Sequence, residues 1–114
     1  DLGKSFDTFG PIGPVMVSPD TVGRGALRIV TEVNGEVRQD GTTDHMIFDI
    51  ATLVSYLSRV TTLRTGDLIF TGTPEGVGAT QGKFLADGDV VTTTIEGIGS
   101  LTNRCVRGTN HRVC

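Results

Sequence analysis

The sequence predicts a mainly β (α+β) fold with one substantial helix. Three observations carry this. An Asn34-Gly35 pair follows a β-rich run, a single stretch has helical apolar spacing, and two Gly-Asp phrases each lead into β-branched or aromatic residues. A chain of 114 residues is sized for one domain. At 12.0 kDa, it is expected to hide roughly 65% of the surface its unfolded form exposes, enough for one modest core.

The elements follow in order. "GKSFDTFGPIGP" places Lys4 just ahead of a segment dense in Gly and Pro, which predicts irregular, rigid, extended backbone around the lysine. Leu27 to Val33 is a strand that ends at Asn34-Gly35, with Val37 beyond. Asn-Gly suits a type I′ hairpin because both central residues need positive φ. Val30 and Val37 fall on one face and Leu27, Ile29 and Val33 on the other, so both faces are expected to be partly covered.

"FDIATLVSYLSRV" is the helix, expected from about Asp49 to Ser58. Ile50, Leu53, Val54 and Leu57 stand at i, i+3, i+4 and i+7, one helical face assigned to core packing. Asp49 precedes them as an N-cap. "TGDLIFTG" then reads as a turn at Gly66-Asp67 and a strand from Leu68 to Thr71. "DGDVVTTTIEG" reads as a turn at Gly88-Asp89 and a strand from Val90 to Ile95. Gly97 to Gly99 forms another turn and Leu101 to Val106 a returning strand. "RGTNHRVC" carries no pattern and is expected to fray. The 16 glycines are not periodic, so they read as turn residues rather than a collagen repeat.

Composition excludes several functions. The formal charge is −3, the basic residues are scattered and Trp is absent, so no nucleic-acid footprint is present. The apolar runs are too short to span a membrane. Cys105 and Cys114 do not make a disulfide framework and read as free thiols of a cytoplasmic protein. No signal peptide is visible. The opening at Asp1-Leu2-Gly3, without Met, suggests a processed chain or a fragment.

"GTPEGVGATQGK" falls short of a phosphate-binding P-loop. Val77 stands where the first glycine belongs, and Phe84 where a magnesium-binding hydroxyl belongs. A Gly-rich loop after a strand still lets backbone approach a ligand closely. His45 and His111 have no partner spacing and read as solvated loop histidines. No H-E-x-x-H, no G-x-S-x-G and no E-x-E occurs. Spacing alone does not mark the chain as an enzyme.

Four phrases in register do. "GKSFDTFGPIGP", "VNGEVRQDGTTDHMIFDIATLVSYLS", "LRTGDLIFTGTPEGVG" and "FLADGDVVTTTIEGIGSLTNR" together resemble the C-terminal half of the fumarylacetoacetate hydrolase family, over roughly residues 3 to 106. The likeness is to acylpyruvate hydrolase and 2-hydroxyhepta-2,4-diene-1,7-dioate isomerase members. It implies a mixed β-roll with few helices, usually paired as a homodimer or other homo-oligomer. It also implies a metal-dependent enzyme acting on small keto-carboxylates by C–C bond hydrolysis, decarboxylation or isomerisation.

Lys4 matches the family lysine whose ammonium stabilises substrate oxygens and the developing enolate. Thr73 matches the threonine of "TGTP", which holds the substrate carboxylate or keto group. Thr8 matches a position near a second magnesium site in some members. The resemblance places the catalytic Mg²⁺ or Mn²⁺ of the full-length parent on a Glu-x-Glu and an Asp upstream of "GKSFD". No residue of this chain is assigned to that metal, and none is expected to bind tightly here, because a hard cation needs an oxygen cage. The alternative from another class is a catalytically silent β domain that self-associates.

Overall fold

Asn34 and Gly35 both have positive φ, 53° and 81°, so the type I′ hairpin forms where the Asn-Gly pair places it. The computed structural model describes residues 2–23 and 25–108; His111 and Cys114 lie outside them. The hairpin joins β1 (Arg28–Val33) to β2 (Glu36–Thr42). With β3 (Val90–Ile95) and β4 (Gly99–Arg104) they make one antiparallel sheet in the order β2-β1-β3-β4. Two single-turn helices, α1 (Leu2–Ser5) and α2 (Pro19–Val22), and the one substantial helix expected, α3 (Ile50–Val60), complete the described elements, with 3-10 turns at Thr43–His45 and Gly78–Gln81.

Register gives each strand pair its chemistry. Ile29 faces Ile95 and Val33 faces Val91 across β1 and β3. Hydroxyls pair wherever threonines stand opposite: Thr31 with Thr93 at 3.3 Å, Thr92 with Thr102 at 3.0 Å, and Thr94 with Ser100 at 2.8 Å. Arg28 forks onto the Asp40 carboxylate, with Nε donating to Oδ1 at 2.8 Å and Nη2 to Oδ2, which holds Asp40 below the usual carboxylate range. In β2 the register slips by one residue. Thr31 faces Gln39 but Glu32 faces Val37, so Arg38 is the extra residue of a β-bulge.

Asn34 also ties the hairpin tip to β3. Its Nδ2 donates to Asp89 Oδ1 at 2.8 Å, and its Oδ1 accepts from the Val90 N–H at 2.9 Å. Asp89 Oδ2 accepts from the Ala86 N–H at 2.7 Å, and Asp67 Oδ2 accepts from the Arg64 N–H at the same distance. The two Gly-Asp phrases therefore build the same turn. The Ala86 N–H, then Asn34, hold the Asp89 carboxyl below its ordinary value. Their sequels differ. Val90–Ile95 has β1 on one side and β4 on the other. The expected strand from Leu68 to Thr71 is not one: these residues lie on neither edge of the sheet, and Phe70 is 77% exposed. An extended segment without a hydrogen-bonding neighbour forms no ladder. The last strand is Gly99–Arg104 rather than Leu101 to Val106, although Cys105 still exchanges bonds with the Gly88-Asp89 turn.

The helix starts as expected, with Asp49 Oδ1 accepting from the Thr52 N–H at 2.7 Å. It runs to Val60, two residues past the expected end. Its assignment to core packing needs correction. Leu53 and Leu57 are only half-buried, and Ile50 is 63% exposed. The single modest core is likewise absent: no side chain among the described residues is buried. The chain exposes 9653 Å², against about 6,000 Å² for a folded protein of this mass. Its radius of gyration is 16.0 Å, against about 13 Å for a compact domain of this length. A four-stranded sheet and one helix of this size do not cover each other's apolar faces.

That uncovered surface predicts association of the isolated chain. Light scattering at high protein concentration is expected to give a mass above that of one chain; a clean monomer there would count against the expectation.

Candidate substrate-binding site

The site is built where a Gly-rich loop meets an irregular sheet edge. β2 is an edge strand, and the bulge at Arg38 bends it. Residues 73–76 lie along this edge. A Cβ added at Gly76, where φ is +99°, would meet the Arg38 carbonyl oxygen at 2.2 Å. One added at Gly41 would meet Pro74 Cβ at 2.8 Å. Both positions therefore require glycine, one on each side of the contact. The loop then closes on itself, with the Lys83 N–H donating to the Gly78 carbonyl at 2.9 Å and Gly82 in the left-handed region.

Gln39 fastens the loop. Its Nε2 donates to Thr73 Oγ1 at 2.9 Å and to the Pro74 carbonyl at 2.8 Å, with a longer approach of 3.4 Å to the Glu75 carbonyl. Thr73 itself is exposed, so its hydroxyl is held and still reachable from solvent. Beside it is a cleft of about 420 Å³ lined by Val37, Arg38, Gln39, Asp40, Glu75, Gly76 and Gln81. Arg38 Nη2 lies 3.3 Å from Glu36, and its Nη1 is buried without a hydrogen-bond partner among the described residues. A second cleft, of about 360 Å³ on α3 beside Asp49 and Arg59, carries no candidate residue.

Lys4 is exposed on α1, a single helical turn, not on extended backbone. The prolines that fix φ begin only at Pro11, so nothing before Gly10 forbids a turn. The Phe9 N–H donates to the Phe6 carbonyl at 3.0 Å, and the Phe6 and Phe9 rings sit 5.4 Å apart. Gly10 then passes close to the Lys4 carbonyl; a Cβ there would be 3.5 Å from it. Thr8 has φ +70°, a strained value for a β-branched residue. Neither cleft is lined by Lys4 or by Thr73.

Among the described residues no group of three or more His, Cys, Asp or Glu is placed to hold a metal ion, and no helix is long and apolar enough to cross a membrane. Sequence reading missed Gln39 and the Gly41–Pro74 contact. With Val37 the one apolar side chain of Glu36–Thr42, no local pattern in the sequence marks the bulge.

The family model described as fumarylacetoacetate (FAA) hydrolase C-terminal matches residues 2–106. The chain belongs to the fumarylacetoacetate hydrolase family. The oxaloacetate tautomerase YisK of Bacillus subtilis is 47% identical over 106 residues, covering 90% of this chain and 35% of that protein. The fumarylacetoacetate hydrolase structure from psychrophilic Exiguobacterium antarcticum superposes with a TM-score of 0.84 at 44% identity, over 92% of this chain and 39% of that one. The maleylpyruvate hydrolase of Sphingobium sp. SYK-6, in complex with manganese(II) and pyruvate, gives 0.82 at 36% identity, over 91% and 38%. The chain thus spans little more than a third of the length of these family members.

The loop-on-edge contact makes a direct prediction. Gly76→Ala should lift the 73–76 segment from β2, because both φ and the Arg38 carbonyl oppose a Cβ. Hydrogen exchange at loop amides 75–83 is expected to rise by at least tenfold, a shift of roughly 1.4 kcal/mol or more in local opening; unchanged protection would show that the close approach does not hold the loop.

Proposed function

We propose that this chain supplies the lysine and threonine side of a site for small keto-carboxylates, in an enzyme of the fumarylacetoacetate hydrolase family. The carrying observation is Thr73: its hydroxyl is exposed, yet anchored to a sheet edge by Gln39. Relatives support the substrate class, since their names include an oxaloacetate tautomerase and a maleylpyruvate hydrolase seen with pyruvate.

The chemistry follows from the substrate. Hydrolysis, decarboxylation and isomerisation of such acids share one feature: negative charge develops on the keto oxygen as an enolate forms. Thr73 binds and orients a substrate oxygen. Lys4 places an ammonium toward the enolate oxygen, which a fixed cation stabilises more than the neutral ketone. Manganese is present in the maleylpyruvate hydrolase complex. The described residues of this chain do not fit a divalent cation, because no three carboxylates converge. In this proposal a Mg²⁺ or Mn²⁺ is held by other parts of the enzyme, and no step is assigned to it here. The uncovered apolar faces favour a homo-oligomer as part of the same proposal.

Two measurements test this. In the protein that carries these residues, Lys4→Met should lower kcat by about 100-fold or more, the worth of roughly 3–4 kcal/mol of charge stabilisation. Thr73→Val should mainly raise KM, by roughly 1–2 kcal/mol of lost binding. Wild-type kinetics in both variants would leave only the silent, self-associating domain. Separately, the isolated 114-residue chain should bind Mn²⁺ weakly and show no turnover of oxaloacetate or acylpyruvates; tight calorimetric binding would overturn the placement of the metal elsewhere.

A further inference from the structure

We infer that Gln39 is a positioning residue: its side-chain amide orients the Thr73 hydroxyl as a hydrogen-bond donor toward an anionic oxygen of the ligand. This rests on the reading of Thr73 as a substrate contact and adds a residue to it.

The direction of the bond is fixed by its neighbours. A glutamine amide presents an NH₂ group that only donates and an oxygen that only accepts. The edge facing the loop meets three oxygens: Thr73 Oγ1 at 2.9 Å, the Pro74 carbonyl at 2.8 Å and the Glu75 carbonyl at 3.4 Å. Two of the three are backbone carbonyls, which cannot donate. The edge facing them is therefore the NH₂ group; the reversed amide would set oxygen against oxygen. Thr73 Oγ1 shares that edge and must accept.

A hydroxyl that accepts from Gln39 keeps its own hydrogen for another partner. Thr73 is exposed, so that hydrogen is available to a ligand. A carboxylate or an enolate offers acceptors only, and it receives the hydrogen without competition from Gln39. The arrangement is stiff. Gln39 follows the bulge at Arg38, and Gly76 and Gly41 let the loop sit against β2 without an intervening Cβ. The threonine alone would have free choice of rotor; the amide removes the choice.

A double-mutant cycle on pyruvate affinity tests this. It uses calorimetry on the protein that carries these residues, with Mn²⁺ present throughout. Gln39→Met keeps the length and removes the amide. It is expected to weaken pyruvate binding about 3- to 10-fold, and Thr73→Val about 5- to 30-fold. The double variant should bind no more weakly than Thr73→Val alone, because Gln39 acts through that hydroxyl. Equal losses from Gln39→Met in both backgrounds would overturn the inference while leaving Thr73 as a substrate contact. An inert Thr73→Val would remove the contact and the inference together. Gln39→Glu gives a second readout if the Met variant folds poorly. The introduced carboxylate accepts from Thr73 and turns its hydrogen inward, so pyruvate affinity should be reduced at neutral pH and recover relative to wild type as the carboxyl protonates. A pH profile parallel to wild type would overturn the inference.

Discussion

The site depends on one extra residue in an edge strand. Arg38 interrupts the pairing of β2 with β1, and the register slip sets how Gln39 stands on the edge. From there the amide reaches three oxygens of the Gly-rich loop. Gly41 and Gly76 allow the approach, since a Cβ at either would collide. A regular edge strand would keep one unbroken register along its length instead, with no step to seat a loop. The bulge thus blunts an exposed edge and, through Gln39, fixes the Thr73 hydroxyl with the same residues.

The sheet behind the site is held by pairing more than by burial. β1 is bonded on both sides, Asn34 locks the hairpin tip to Asp89 and Val90, and threonine hydroxyls bridge neighbouring strands. No described side chain is buried, and the amphipathic stripe of α3 is left largely open. Such a chain orders its backbone locally and leaves its apolar faces for other surfaces to cover. The family members it matches are more than twice as long.

What was legible in the sequence was local chemistry. The Asn34-Gly35 turn, the Asp49 cap and the strand after Gly88-Asp89 each follow from the conformational needs of a few adjacent residues. The failures were questions of partnership. Leu68 to Thr71 has the same turn before it as β3 but pairs with no strand among the described residues. The stripe of α3 has the right spacing but little to pack on. Lys4 was expected on extended backbone because of prolines that begin too late to reach it. Gln39 was invisible because nothing about a lone glutamine announces three acceptors arriving from residues more than thirty positions away. The roles of Lys4 and Thr73 came from resemblance, and residue spacing alone did not suggest them.

The central claim is that Thr73, oriented by Gln39, and Lys4 meet the same keto-carboxylate. A crystal structure of the protein that carries these residues, soaked with Mn²⁺ and pyruvate, tests it most directly. The account predicts Thr73 Oγ1 and Lys4 Nζ each at about 2.7–3.2 Å from pyruvate oxygens, with the Gln39 amide still on Thr73. Pyruvate bound in contact with neither side chain would contradict it.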